Sequence, residues 1–127
     1  MSLGLARRVG MSIEFRGPEG LDLWRRVVCE SVRRDGPDLS ARQMALLLTV
    51  YLTPPPHTVR GLAGILNVSK PAVTRALDRL GLLGLARRKR DEADRRSVLV
   101  QRTVKGSVFL SEFSDIMVRA AQEQRQS

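Results

Sequence analysis

The apolar positions of this chain follow a helical period over most of its length and a period of two in one short stretch. Leu21, Trp24, Val28 and Val32 repeat at helical spacing, widened by Val27, and predict a first helix over residues 21–34. Asp35-Gly36-Pro37 stops it, because proline cannot continue the hydrogen-bond ladder. Ser40 and Gln43 have capping-box spacing and open a second helix. Residues 44–52 are apolar almost all round, so this helix is expected at the buried centre, ended by Pro54-Pro55-Pro56. Thr58 caps a third helix carrying Leu62, Ala63, Ile65 and Leu66, and Asn67-Val68 makes a tight turn. Ser69 caps a fourth, with Pro71 in its first turn, where the missing amide costs nothing. Val73, Ala76, Leu77 and Leu80 form its inward face, and Gly81 is expected to close it in a left-handed conformation.

The period then becomes two. Residues 85–88 and 97–101 read as strands around a charged tip at 89–96, a β-hairpin with a long basic loop. Thr103 caps a final helix reaching about residue 123, with Phe109, Phe113, Ile116 and Ala120 as its stripe, broadened by Leu110 and Met117. Upstream, Val9, Met11, Ile13 and Phe15 alternate with Gly10, Ser12, Glu14 and Arg16, as a short strand would. An arm before Gly17-Pro18 is equally readable as disordered or as pairing with a partner. The fold class is mostly α with a small β-hairpin wing, a winged helix-turn-helix. The expected division is an arm over 1–20, the winged helix-turn-helix domain over 21–103 and a C-terminal helix over 104–127.

Composition narrows the class. The chain of 127 residues is 43% hydrophobic and 28% charged, which excludes a wholly disordered chain and favours one domain. No apolar run approaches the ~20 residues of a membrane span. Arg7 and Arg8 are not followed by the apolar segment of a secretory signal. A single cysteine, Cys29, excludes an intramolecular disulfide and a thiolate metal cluster. These features point to the cytoplasm. His57 is the only histidine, sits in a proline-rich connector with no other ligands near it, and reads as a surface loop residue, so no metal is expected. No paired carboxylates, nucleophile–base set or glycine-rich phosphate loop appears, so neither enzyme nor cofactor is indicated.

Charge adds the decisive asymmetry. The net charge is +9, and residues 67–103 alone hold ten Lys and Arg against four acids. Two thirds of the excess therefore lies in 37 residues, where a polyanion-binding surface would place it, although an isolated charge run is more often only a solvated face. With the fourth helix's apolar side turned inward, its outer side carries Lys70, Thr74, Arg75, Asp78 and Arg79. Ser69, Lys70 and the free amides of the first turn suit a phosphate. Arg75 has the geometry for a guanine edge, and Thr74 for a thymine methyl or a phosphate. Alone, this is as readily a surface helix of mixed charge. The hairpin adds Arg87, Arg88, Lys89, Arg90, Arg95 and Arg96, a set suited to phosphates or to a narrow minor groove. Asp94 can orient Arg96, since a carboxylate matches a guanidinium. The competing reading is a charged edge that blocks sheet aggregation. Helix and hairpin together favour double-stranded DNA as the partner.

Residues 58–106 resemble the multiple-antibiotic-resistance regulator (MarR) family. The resemblance is carried by Leu62-Ala63, the Ser69/Thr74/Arg75 helix, Leu80 followed by glycine and an apolar turn, Asp94-x-Arg96, and Thr103-x-x-Gly106. It implies a winged-helix homodimer on pseudo-palindromic operators, held through the helices at 21–32 and 109–120. It further implies that the helix at 69–80 reads the major groove and that Arg96, supported by Asp94, enters the minor groove. Many members release DNA on binding a small phenolic or lipophilic ligand, and some sense oxidants through a cysteine. Two departures stand out. Only one helix follows Thr103 where the family has two, so a shortened dimer region is expected. Arg102 stands where a leucine is usual, which removes an apolar contact or adds a phosphate contact.

Other residues carry weaker signals. Cys29 lies near Arg25, Arg26 and Arg33, as a redox sensor requires, yet a lone helical cysteine is more often a small core residue. Trp24 is a core or dimer anchor. Two rival functions remain open. One is a winged-helix protein-interaction module without direct DNA binding. The other is a ligand- or redox-responsive repressor sensing through Cys29 or through an interhelical pocket for a small apolar ligand.

Overall fold

A computed structural model describes residues 17–126. The alternating stretch 9–16 lies outside the described residues. In chain order the elements are α1 (Gly17–Arg33), α2 (Ala41–Leu52), β1 (His57–Thr58), α3 (Val59–Leu66), α4 (Lys70–Leu82), β2 (Ala86–Arg90), β3 (Val98–Arg102) and α5 (Val104–Gln126). This is a winged helix-turn-helix with a small antiparallel sheet of order β1-β3-β2. The chain forms two compact units. One is Asp35–Asp115; the other draws its described residues from 17–34 and 116–126.

Local chemistry starts the helices of the winged unit. Ser40 Oγ accepts the Gln43 amide at 3.1 Å, and Gln43 Oε1 accepts the Ser40 amide at 2.9 Å, the expected reciprocal box. Thr58 Oγ1 accepts the Gly61 amide at 2.9 Å, and Ser69 Oγ accepts the Ala72 amide at 3.2 Å. Each such cap is worth ~1 kcal/mol. Asn67, at φ 54° and ψ 47°, takes the left-handed turn between α3 and α4, a conformation asparagine tolerates better than most. The core then collects Leu46, Leu47 and Val50 from α2, Leu62 and Ala63 from α3, and Val73, Ala76, Leu77 and Leu80 from α4. Leu85, Ala86 and Val100 at the wing base and Phe109 of α5 complete it.

Several expectations are corrected. α4 runs through Gly81 to Leu82, and the left-handed residue is Gly84, at φ 75°. The strands lie at 86–90 and 98–102 rather than 85–88 and 97–101, because β2 stays paired through Arg90, opposite Val98. A third strand, β1, pairs His57 with Val100 and Thr58 with Leu99. His57 is therefore buried rather than in a surface loop, with Nε2 3.2 Å from both Oγ1 and O of Thr53. α2 is not buried all round: Leu52 is 75% exposed. The α1 stripe is largely uncovered, with Leu21, Trp24 and Val32 exposed and only Val27 fully buried.

The wing is rooted by a polar latch. Tyr51 Oη donates to the Leu85 carbonyl at 2.7 Å and accepts the Thr103 amide at 2.8 Å. Thr103 Oγ1 donates to the Gly84 carbonyl at 2.7 Å and accepts the Gly106 amide at 2.9 Å, capping α5 as expected. A Cβ on Gly106 would collide with the Tyr51 hydroxyl and the Leu85 carbonyl, so only glycine fits there. Arg102 is engaged within the fold rather than free for a phosphate. Its Nε donates to the Val50 carbonyl at 2.9 Å and its Nη2 to the Thr53 carbonyl at 3.0 Å, closing the end of α2 above the Tyr51 ring.

In the second unit, Val27, Ile116 and Ala120 are buried. Asp22 bridges Arg25 and Arg26 at 2.8 and 2.9 Å, and Gln124 Nε2 donates to the Glu19 carbonyl at 2.7 Å. Among the described residues no helix is long and apolar enough to cross a membrane.

Candidate nucleic-acid interface

The inward anchoring of α4 fixes what its other side presents. With Ala72, Val73, Ala76, Leu77 and Leu80 buried, Lys70, Arg75, Asp78 and Arg79 are exposed and Thr74 is half-buried. The sheet does the same for the wing. Successive strand residues face opposite ways, so β2 splits its charges: Arg88 shares a face with buried Ala86, and Arg87 and Lys89 take the other. Arg87 Nε there reaches Gln101 Oε1 at 3.4 Å, across the register that pairs them. Arg88 turns toward α4, where its Nη2 donates to Asp78 Oδ1 at 2.5 Å.

These two faces meet. A cleft of about 560 Å³ is lined on one side by Lys70 and Thr74 of α4. On the other side stand Arg88 of β2 and Asp94, Arg96, Ser97 and Val98 of the hairpin. Thr58, Val59 and Arg60 also line it. The residues expected at the interface thus do not form a single set. Lys70, Thr74, Arg88, Asp94 and Arg96 share the cleft. Arg75 and Arg79 are exposed on α4 outside that lining. Lys89, Arg90 and Arg95 gather with Glu92 at the wing tip, while Arg87 stays with Gln101. Ser69 caps α4. Cys29 lies in α1 as a half-buried free thiol.

The acids of the tip shape it. Asp91 Oδ1 accepts the Ala93 amide at 2.9 Å and Asp94 Oδ1 accepts the Arg96 amide at 3.1 Å, turns in which a carboxylate mimics a backbone carbonyl. The Asp91 amide donates to the Ser97 carbonyl at 3.1 Å and closes the loop. Arg96 Nε lies 3.6 Å from Asp94 Oδ1, while its side chain remains 95% exposed. Asp94 thus orders the backbone of Arg96 and leaves its guanidinium exposed. Among the described residues no group of His, Cys, Asp and Glu is placed to hold a metal ion.

Sequence reasoning missed Arg60 and the Asp78–Arg88 link. Arg60 follows the Thr58 cap by two residues, a first-turn position whose outward side a helical-wheel reading can assign. The link joins residues ten apart through the fold, and no local signal announces it.

Comparison with known proteins places this geometry. Residues 39–98 match the model of the MarR family. A point mutant of S. aureus MepR superposes with a TM-score of 0.72 at 19% identity, over 89% of this chain and 84% of that one. The transcriptional regulator BldR from Sulfolobus solfataricus gives 0.61 at 25% identity, over 99% and 83%. A structure of the S. aureus MepR–DNA complex gives 0.66 at 19% identity, over 97% and 90%. No protein with a curated description matches the sequence.

Proposed function

From a chain whose residues 39–98 match the MarR family model, we infer a sequence-specific regulator of transcription that binds double-stranded DNA as a homodimer. One observation carries this reading: α4 and the wing line a single cleft, with Lys70 and Thr74 facing Arg88 and Arg96. A helix of this width enters a major groove, and a two-stranded ribbon beside it reaches the adjacent minor groove. Arg96 is the minor-groove side chain, exposed and ordered at its base by Asp94. Arg75 reads a base edge; Lys70, Arg79, Lys89, Arg90 and Arg95 neutralise phosphates, and Arg87 supports them from the outer face of the wing. The MepR–DNA complex supports DNA as the ligand of this fold. The exposed Leu21, Trp24 and Val32 of α1, with Met117 and Val118 of α5, supply apolar surface for a second copy.

Substitution separates the two kinds of contact. Duplexes enriched by the chain from a random-sequence library serve as specific sites, and an unselected duplex as the control. Arg75→Ala should weaken selected sites by ~1–3 kcal/mol and relax one base position per half-site. Lys89→Ala should weaken both duplexes alike and lower the salt slope by about 1. Equal losses on both duplexes for both variants would refute this division, and no shift of any duplex at low salt would refute DNA binding.

A further inference from the structure

We propose that Asp78 is a positioning residue: through Arg88 it sets the wing against α4, so that its negative charge serves DNA recognition instead of opposing it. The proposal rests on the DNA reading above and assigns a role to the one acid of α4.

A carboxylate among Lys70, Thr74, Arg75 and Arg79 is out of place on a surface meant for phosphates, which it repels unless a cation is held against it. Here one is. Arg88 Nη2 donates to Asp78 Oδ1 at 2.5 Å, a charge-assisted bond between helix and strand. Arg88 sits in the middle of β2, opposite the buried Val100, so its backbone is fixed by the sheet. Asp78 lies between Leu77 and Arg79 on a helix anchored by the core, so its backbone is fixed as well. The side chains are 36% and 55% exposed, and an ion pair this open contributes little to folding stability. Its contribution is geometric, one set distance between the two elements that must enter neighbouring grooves. Arg88 also lines the cleft beside Thr74 and Arg96, which places the pair in the wall between helix and wing. A wing held there before DNA arrives loses less freedom on binding.

The two roles for Asp78 predict opposite signs. Asp78→Asn, Arg88→Gln and the double variant are prepared in the full chain, and their unfolding midpoints should stay at that of the unsubstituted chain. In the free protein, Asp78→Asn should speed amide hydrogen exchange in β2 and over residues 91–97, with α2 and α3 unchanged. On duplexes enriched by the unsubstituted chain from a random library, Asp78→Asn should weaken binding about fivefold, or about 1 kcal/mol at 1.4 kcal/mol per decade. A random 30-mer duplex should be bound as before or more tightly, because a negative charge is gone. The double variant should be no weaker on enriched duplexes than the weaker single variant, as partners in one interaction are non-additive. Tighter binding of both duplexes by Asp78→Asn, with wing exchange unchanged, overturns the proposal and leaves Asp78 a mere repulsion. An unsubstituted chain that enriches no duplex overturns the DNA reading alone, and the exchange measurement then still decides whether Asp78 holds the wing.

Discussion

The winged unit and the α1 unit use the same sequence signal to opposite ends. In α4, Val73, Ala76, Leu77 and Leu80 stand at helical spacing and are all buried by the chain's own elements. In α1, Leu21, Trp24, Val28 and Val32 repeat just as regularly, yet Leu21 is 72% and Trp24 55% exposed. Periodicity states that a face is apolar; it does not state what covers it. A stripe buried within one chain stabilises that chain's fold, whereas a stripe left open in water favours association. Stability and assembly therefore separate along the sequence, and substitutions should separate them too.

The largest effect is expected in the closed core. Leu80 is fully buried among α2, α4 and wing residues. Leu80→Ala should cost ~2–5 kcal/mol, as lost apolar burial and a residual cavity add. Denaturant unfolding at high dilution measures this, and the loss should not depend on protein concentration. A loss below about 1 kcal/mol would mean that the core is not where the stability of this unit resides.

Trp24→Ala tests the open face and should behave differently. It is expected to change unfolding at high dilution by well under 1 kcal/mol, as for an exposed site. In sedimentation it should weaken self-association by ~2 kcal/mol or more, the scale of an aromatic anchor at an interface centre. If Trp24→Ala destabilises the dilute chain as Leu80→Ala does, the contrast between the two stripes is lost.

What was legible in the sequence follows the same line between local and non-local causes. The caps at Ser40, Thr58 and Ser69 are set within three residues, and all form as expected. The inward face of α4 needs only periodicity, and so the outward Lys70, Arg75 and Arg79 could be read from it. β1 could not: two residues carry no period, and only the long-range pairing of His57 with Val100 makes them a strand. The same distance hid the role of Arg102, which closes a helix end some fifty residues upstream, and of Tyr51, which ties Leu85 to Thr103. Within the candidate site, the basic residues were legible as a set. Their division into cleft, tip and outer face of the wing depends on strand register, which a charge count does not contain.

The smallest expected effect concerns how the α1 unit is held. Hydrogen bonds from Arg26 first, and Arg25 second, hold the Asp22 carboxyl below its ordinary 3.8, and Asp22 in turn raises Arg25. A carboxyl whose folded pKa is depressed contributes stability that is fully present above the unfolded value. That contribution is lost as pH falls through the folded value. The sensitive window therefore lies in acid, from about 4 downward, and pH 6 to 8 should be flat for this group. The carboxylate is open to solvent, so the contribution is small and salt should screen it. Asp22→Asn should lower the unfolding midpoint slightly at neutral pH, and the gap from the unsubstituted chain should close as pH falls to 3. Added salt at neutral pH should narrow the same gap. The caps and core of the winged unit carry no titrating group in that range, so Leu80→Ala should keep its full deficit in acid. No gap for Asp22→Asn at neutral pH, or one that widens on acidification, would show that the Arg25–Asp22–Arg26 cluster does not help hold α1.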